Sequence, residues 1–242
     1  KRFKPGDEVF GDITFLGSGG FAEFTVARES LLAKMPAGLT FEQAAAAPMA
    51  AVTALQGLRD KGKLQPGQSV LIYGASGGVG TFAIQLAKTF GAEVTAVCGP
   101  GSPELARSLG ADRVLDYTRE DFAKNGQRYD LILAVNGDRS LSEYKRALSA
   151  EGIYVAVGGS NRQIFQAMFL GPVMSMGSRK KMGILEARPK ASDLDLIRGY
   201  LDAGAIRPVI DRTYPLSEAA EAMRYLDAGH VKGKIVLEIG RA

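Results

Sequence analysis

The sequence is poor in the residues that build disulfide frameworks and metal sites. Its 242 residues include one cysteine, Cys98, and one histidine, His230. A single cysteine excludes a disulfide within the chain and a four-cysteine zinc site, and it fits a reducing compartment. No uninterrupted apolar run reaches the roughly 20 residues of a membrane span, and no signal peptide is visible. We therefore expect a cytoplasmic location, with any targeting segment before Lys1 left open.

The charge balance gives no indication of a macromolecular partner. The net charge of +4 is small and spread along the chain, and 46% apolar with 23% charged residues is an ordinary globular composition. The short basic run Arg179, Lys180, Lys181 lacks interleaved aromatic residues, so we interpret it as solvated surface. The sequence therefore predicts neither a nucleic-acid partner nor a membrane partner.

The order of strands and helices predicts a parallel α/β sheet in the middle of the chain. Between Ser69 and Gly159, short apolar runs alternate with helical patterns, and they read SVLIYG, EVTAVC, RVLDY, YDLILAV and GIYVAVGG. Such continuous apolar strands are typical of a sheet covered by helices on both faces. We predict a sixth strand at PVMSMG, short strands within residues 1–35, including SGGFAEFTVAR, and a helix capped by Thr40.

A glycine-rich turn joins the first of these strands to its helix. Gly74, Gly77 and Gly80 lie between the run VLIY and the helical pattern that follows. A turn without Cβ atoms lets the backbone approach a pyrophosphate, and the helix N-terminus offers it free N–H groups. The spacing in this strand–turn–helix context predicts a dinucleotide-binding site. The alternative is a glycine turn that binds nothing.

The end of the second strand bears on which dinucleotide binds. An acidic residue there would hold the ribose hydroxyls of NAD, but this chain reads Cys98-Gly99-Pro100-Gly101-Ser102. A 2′-phosphate would meet no carboxylate at that point, although no lysine or arginine is present either. The hydroxyl groups of Tyr117 and Ser102 can donate to a phosphate, so NADP is favoured over NAD. Simple packing at the sheet edge is the alternative role of Tyr117.

Five segments resemble, in order, the zinc-free quinone oxidoreductase-like branch of the medium-chain dehydrogenases/reductases, which includes the zeta-crystallin and reticulon-interacting types. They are PGDEVFG, LTFEQAAAAPMAAVTALQGL, VLIYGASGGVG, LGADRVLDY and IRPVIDRTYPLSEAAEAMRYLDAGHVKGKIVL. The resemblance implies an α/β fold with a Rossmann doubly wound parallel sheet plus the remnant of a GroES-like β-barrel catalytic domain. Residues 1–51 are expected to be the C-terminal part of that catalytic domain, 52–187 the Rossmann domain and 188–242 the return segment, with the N-terminal part absent.

The resemblance also implies a set of cofactor contacts. Thr53 matches the residue at the nicotinamide end, and the loop from Ser76 to Val79 matches the pyrophosphate loop. Asn136 stands where relatives usually have glycine, at the rim of the adenosine pocket. The predicted cofactor-binding residues are Thr53, Gly74, Ser76, Gly77, Gly78, Val79, Gly80, Gly99, Ser102, Tyr117, Asn136, His230, Val231 and Lys232. For His230 and Lys232, exposed turn residues without a ligand are the alternative interpretation.

One position of the sequence indicates whether the chain can bind a catalytic zinc ion. Zinc-dependent relatives carry a cysteine ligand four residues before the threonine that matches Thr53, and this chain has Met49 there. A thioether is a poor zinc ligand. We therefore predict no metal site.

The predicted activity is NAD(P)H-dependent, zinc-free hydride transfer to a quinone or an α,β-unsaturated carbonyl. No catalytic residue is predicted: Tyr144 is followed directly by Lys145, and Tyr154 is expected to pack in a strand. Two alternatives remain open, an inactive nucleotide-binding scaffold, sensor or truncated fragment, and an alcohol dehydrogenase or enoyl reductase domain of a larger assembly. A homodimer through the sheet edge near Val173–Leu185 and exposed apolar surface within residues 1–51 are also expected.

Overall fold

A computed structural model describes residues 2–14, 19–137 and 139–240, which form ten strands and eight α-helices numbered along the chain. The strands are β1 (Val9–Gly11), β2 (Leu32–Lys34), β3 (Ser69–Tyr73), β4 (Glu93–Cys98), β5 (Arg113–Asp116), β6 (Tyr129–Ala134), β7 (Leu148–Ala156), β8 (Lys181–Ile184), β9 (Ile210–Pro215) and β10 (Lys234–Glu238). The helices are α1 (Phe41–Ala46), α2 (Pro48–Gln56), α3 (Gly78–Thr89), α4 (Pro103–Ser108), α5 (Leu141–Ala147), α6 (Asn161–Ser175), α7 (Ala191–Asp202) and α8 (Ala219–Asp227).

The chain divides into two compact units. The larger is Thr53–Ala187, and the smaller combines Lys1–Val52 with Arg188–Ala242. The assignment of residues 1–51, 52–187 and 188–242 to a catalytic domain, a Rossmann domain and a return segment stays a prediction. No helix within the described residues is both long and apolar enough to cross a membrane.

The larger unit is built on one six-stranded sheet in which neighbouring strands are parallel. The strand order is β5-β4-β3-β6-β7-β8. Strands β4 and β5 therefore lie on one side of β3, and β6, β7 and β8 lie on its other side. This is the order of a doubly wound dinucleotide-binding fold, and its two central strands mark the switch point where ligands bind. The predicted Rossmann-type fold is confirmed.

The core of this unit explains why its strands read as continuous apolar runs. Leu71 of β3, Ile132 of β6 and Tyr154 of β7 are fully buried in one cluster with residues of α5 and α6. Parallel strands need apolar side chains on both faces because helices cover both.

The smaller unit contains two two-stranded sheets, antiparallel β1–β2 and parallel β9–β10. The predicted cap at Thr40 is confirmed: its hydroxyl accepts the Gln43 backbone N–H, and the Gln43 side chain accepts the Thr40 N–H in return. In the expected barrel remnant, the side chains of Phe24 and Val26 are largely exposed. No closed barrel is formed by the described residues.

Two strand predictions were wrong. The sixth strand is β8, and Pro172 to Ser175 of the PVMSMG segment form the last turn of α6. The alternating run at SGGFAEFTVAR forms no strand within residues 19–28. Alternation predicts a strand only where a neighbouring strand can pair with it, and β1 pairs with β2 instead.

Candidate dinucleotide-binding site

The glycine turn lies at the switch point of the sheet. Gly74 directly follows β3 in a left-handed conformation, with φ of 80°. A Cβ added to it would lie 3.0 Å from the backbone nitrogen of Asn136, the second residue after β6. The carboxyl ends of the two central strands therefore converge, and the structure brings the predicted residues Gly74 and Asn136 together.

The helix that follows the turn presents a free N-terminus. Helix α3 begins at Gly78, and its cap residue, Gly77, has no side chain that could cap the first turn. The first N–H groups of a helix have no partner within the helix, so they can bind an anion placed on the axis. Ser76 and Val79 flank this point, and both are partly buried.

Two glycines of this turn have different surroundings. A Cβ on Gly80 would lie 2.7 Å from the backbone of Ala75, so this glycine sets how closely α3 packs on the turn. A Cβ on Gly77 would come no closer than 3.7 Å to its nearest neighbour, the Gly74 oxygen. Gly77 thus leaves open the approach to the helix N-terminus, and the turn fits a pyrophosphate group.

The residues predicted to lie on the adenosine side of the site follow β4 and β5. A Cβ on Gly99 would lie 3.1 Å from the Tyr117 hydroxyl oxygen, so the tyrosine ring lies against this glycine. Tyr117 is 56% exposed, whereas Ser102 is 6% exposed. The Tyr117 hydroxyl is therefore accessible to a ligand phosphate, and the Ser102 hydroxyl is largely shielded from one.

A carboxylate that the sequence analysis missed lies next to this region. Asp116 is the last residue of β5 and pairs in register with Cys98, the last residue of β4. Hydrogen bonds from the Thr118 hydroxyl and backbone N–H lower the pKa of Asp116, so it is ionised at neutral pH. Burial, followed by the charge of Asp116, raises the pKa of the Cys98 thiol. The parallel register of adjacent strands is the signal that would have placed this acid beside the second strand's end.

A buried polar cluster supports the segment after β6. Gly137 bridges to Gly159, and a Cβ on Gly137 would collide with the Tyr144 hydroxyl and lie 2.7 Å from Gln163 Nε2. Gln163 Nε2 donates to the Tyr154 hydroxyl at 3.1 Å. Burial raises the pKa of Tyr154 to about 12 and that of Tyr144 further still. Tyr154 is fully buried, as predicted, and neither phenol is suited to transfer protons at neutral pH.

Comparison with known proteins identifies the family. A family model described as zinc-binding dehydrogenase matches residues 109–237. The chain is 37% identical over 249 residues to the chloroplast envelope quinone oxidoreductase homolog of Arabidopsis thaliana, covering 98% of this chain and 74% of the relative. The chain belongs to the zinc-binding dehydrogenase family of medium-chain dehydrogenases/reductases. The predicted resemblance is confirmed.

Two further proteins are similar to this member of the zinc-binding dehydrogenase family. It is 35% identical over 261 residues to mitochondrial NAD(P)H oxidoreductase RTN4IP1 of Mus musculus, covering 99% of this chain and 66% of the relative. The solved quinone oxidoreductase from Coxiella burnetii matches with a TM-score of 0.89 and 28% identity, over 99% of this chain and 74% of that one. The chain thus spans about two thirds to three quarters of these relatives' lengths.

The family name includes zinc, but the position expected to hold a zinc ligand is Met49. Met49 and Thr53 lie one turn apart on α2. Among the described residues, no three His, Cys, Asp or Glu side chains come together as a metal site would require. Cys98 is buried as a thiol in β4, so it offers no thiolate.

The remaining predicted residues belong to the smaller unit. His230 and Lys232 are exposed, and Val231 is partly buried. The Lys232 backbone N–H donates to the Asp211 carboxylate at 3.3 Å, and that carboxylate also accepts the Tyr225 hydroxyl at 2.8 Å. The turn that carries His230 is therefore held to β9 by Asp211. This anchoring, like Asp116, was not predicted from the sequence.

Proposed function

We propose that this protein is a zinc-free, NADPH-dependent oxidoreductase that passes a hydride to a quinone or an α,β-unsaturated carbonyl. The observation that carries the proposal is the open glycine turn at the switch point of the parallel sheet, between β3 and α3. The printed names of the relatives, quinone oxidoreductase and NAD(P)H oxidoreductase, support the same chemistry.

The residues present fit a nicotinamide dinucleotide. The N–H groups at the start of α3 would hold the pyrophosphate, and Gly77 leaves the room that the phosphates need. Asn136 would lie at the rim of the adenosine pocket, next to Gly74. When bound, the nicotinamide supplies the hydride, and the protein's part is to orient the two reactants and to exclude water.

The preference for NADPH rests on Tyr117 and on the end of β4. Gly99 and the residues after it bring no carboxylate, and the exposed Tyr117 hydroxyl lies where it can donate to a 2′-phosphate. Asp116 opposes this preference, because the hydrogen bonds from Thr118 keep its carboxylate ionised. We therefore propose a moderate preference for NADPH over NADH.

We assign no general acid. The phenols of Tyr144 and Tyr154 are buried with raised pKa values, and the lone histidine, His230, lies on an exposed turn. A quinone or enone accepts hydride with the charge spread onto its oxygen, so the site needs to orient that oxygen more than to protonate it strongly.

The substitution Gly77→Ala tests the cofactor site. We expect NADPH binding, followed by calorimetric titration, to weaken about tenfold because the new methyl group occupies the approach to the helix N-terminus. The midpoint of thermal unfolding should not change, since the nearest atom lies 3.7 Å away. Unchanged NADPH affinity in this variant, or no binding of either coenzyme to the parent protein, contradicts the proposal.

Turnover separates the oxidoreductase from a nucleotide-binding scaffold. NADPH oxidation should be measured with a panel of quinones and enones, before and after treatment with a zinc chelator. We expect chelator-insensitive oxidation of NADPH. Tight binding with no turnover across the panel would favour the scaffold instead, and loss of activity on chelation would refute the zinc-free assignment.

Two finer assignments remain proposals. We propose a homodimer through the outer edge of β8, which pairs on its other side with β7; a monomeric mass by light scattering would contradict it. We also retain a cytoplasmic location, which the single cysteine favours. Two of the relatives carry chloroplast envelope and mitochondrial in their names, so microscopy of the tagged full-length protein is the direct test.

A further inference from the structure

The segments that follow β6 and β7 run side by side beyond the ends of the two strands. The last residues of the strands pair in register, and three residues further along each segment Gly137 pairs with Gly159. Between these two pairs, the Val157 N–H donates to the Ala134 carbonyl oxygen at 2.8 Å. The parallel register therefore continues up to the two glycines, at the carboxyl ends of the strands, where such a fold binds its ligand.

The side chain of one residue, Gln163, lies over both glycines. A Cβ added to Gly137 would lie 2.7 Å from Gln163 Nε2, and a Cβ added to Gly159 would collide with Gln163 Oε1. The two ends of one amide group therefore face the two segments. Gly159 also has a φ of 126°, a conformation that favours glycine, so the close approach of the amide matches the backbone there.

Gln163 is held in place from two sides. It is the third residue of α6, and its backbone N–H donates to the hydroxyl of Ser160, the cap residue of this helix, at 3.3 Å. Its Nε2 donates to the Tyr154 hydroxyl of β7 at 3.1 Å, and the ring of Tyr154 packs on that of Tyr144 with 4.7 Å between centroids. The amide is thus a fixed spacer, anchored to a helix and to a strand.

Stability alone does not explain a glutamine at this position. Gln163 is 2% exposed, and no described residue donates a hydrogen bond to its Oε1. A buried acceptor without a donor is unfavourable, and an apolar side chain of similar volume would avoid it. What the amide provides beyond stability is a fixed position for the two segments.

The place of Gly137 and Gly159 in the sheet indicates which part of the cofactor they adjoin. A doubly wound sheet holds a dinucleotide across its two halves, with one mononucleotide on each. Gly99 and Tyr117, at the proposed contact to the 2′-phosphate, follow strands of the half formed by β3, β4 and β5. The two glycines follow β6 and β7 of the other half, which corresponds to the nicotinamide mononucleotide.

We propose that Gln163 is a positioning residue for the nicotinamide half of the bound dinucleotide. Its amide sets the spacing of the segments after β6 and β7, and those segments, not the buried amide, border the nicotinamide and its ribose. The inference rests on the proposed function, because it assigns a task within the same cofactor site. Hydride transfer depends on how the nicotinamide is oriented, so a fixed spacer serves the reaction without touching the reactants.

Calorimetric titration of the full chain with two ligands tests the proposal. One ligand is NADPH, and the other is adenosine 2′,5′-bisphosphate, which has the adenosine half alone. We expect Gln163→Met to weaken NADPH binding about fivefold and to leave the affinity for the adenosine fragment unchanged, because methionine fills the volume but is not anchored to Tyr154. If the parent prefers NADH, NADH and adenosine monophosphate take their places.

Thermal unfolding and a matched control separate positioning from stability. The unfolding midpoint of Gln163→Met should stay close to that of the parent, since the substitution removes one hydrogen bond and one unpaired oxygen. The control is Gln85→Met in α3, where a second buried glutamine donates through Nε2 to the Thr81 carbonyl oxygen of the same helix. This variant should bind both ligands as the parent does.

A second variant, Tyr154→Phe, removes the anchor of the amide and keeps the ring, so it tests the proposal even if Gln163→Met does not fold. We expect a smaller loss of NADPH affinity than in Gln163→Met, and no further loss when the two substitutions are combined in a double-mutant cycle. The fluorescence of bound NADPH reports on the surroundings of the nicotinamide. It should change in both variants and not in Gln85→Met.

The outcomes distinguish this inference from the proposed function. If Gln163→Met binds NADPH as the parent does, or loses affinity equally for NADPH and the adenosine fragment, the positioning role is overturned and the proposed function stands. A parent protein that binds neither coenzyme overturns both.

Discussion

Two glycines, one in each half of the parallel sheet, pack closely against different kinds of neighbour. In the half formed by β3, β4 and β5, the critical glycine, Gly80, lies against backbone atoms of Gly74 and Ala75. In the half formed by β6, β7 and β8, Gly137 lies against side-chain atoms of Tyr144 and Gln163. A contact with backbone cannot be relieved by a second substitution, whereas a contact with a side chain can.

The halves also differ in whether their buried polar side-chain atoms all have hydrogen-bond partners. Among the described residues of the larger unit, the buried side-chain atoms without a hydrogen-bond partner all lie in or beside the second half. They are Tyr129 Oη, Arg139 Nε, Tyr144 Oη and Gln163 Oε1. Unpaired buried polar groups cost stability, so this cost falls on the second half.

The largest effect should come from Gly80→Ala. We expect a loss of about 3 kcal/mol in the free energy of unfolding, because the added Cβ overlaps the turn backbone and no rotamer change relieves it. Chemical denaturation measures this loss, and Gly77→Ala in the same turn is the control that should unfold like the parent. Equal stability of Gly80→Ala and Gly77→Ala would show that α3 can shift away from the turn.

In the second half, Gly137→Ala should cost less and should be partly rescued. We expect about 2 kcal/mol of destabilisation, because the new methyl group meets the Tyr144 hydroxyl and the Gln163 amide. Adding Tyr144→Phe removes the hydroxyl, so the double variant should regain about half of the loss. A double-mutant cycle measures this coupling. If the two substitutions are additive, the proposed difference between Gly80 and Gly137 is wrong.

Sequence patterns predicted the first half well because its determinants are local. The strand β3, the glycine turn and α3 follow one another within residues 69–89, and each has its own pattern in the sequence. The predicted site residues Gly74, Gly77 and Gly80 lie within this local segment, so the turn that joins β3 to α3 was predicted for the same reason. Asp116 was missed because its position beside Cys98 depends on pairing between two strands.

The second half was predicted less well because tertiary packing overrides its local signals. Gly171 and Pro172 both disfavour a helix, which is why PVMSMG was predicted as a strand. The helix nevertheless forms, since Ala167 and Gly171 allow it to lie close against β8. The large residues of α6, such as Phe165 and Phe169, are exposed, although apolar residues at helical spacing usually indicate a buried face.

The smallest effect concerns Asp130, which joins the two halves at the opposite end of the sheet. It lies in β6 where the register with β7 shifts, and its carboxylate accepts hydrogen bonds from Ser69 of β3, through N–H and hydroxyl, and from the hydroxyl of Ser149 in β7, at 2.9–3.0 Å. Burial tends to raise the pKa of Asp130, but these hydrogen bonds outweigh it and lower the pKa. The carboxylate therefore stabilises the fold above its unfolded pKa of about 3.9, and this stabilisation is lost as the pH falls through the lowered folded value.

Replacing this carboxylate by an amide should weaken the junction between the halves in a pH-dependent way. We expect Asp130→Asn to lose about 1 kcal/mol of unfolding free energy at neutral pH, since the site is partly open to solvent. The gap between parent and variant should close as the pH falls below about 4, where the parent's carboxyl group takes up a proton. Denaturation over a pH series measures it, with Asp227→Asn on the exposed side of α8 as the control. A difference in unfolding free energy that stays the same in acid would mean that the shape of Asp130, and not its charge, stabilises the fold. The two halves would then be joined by packing alone.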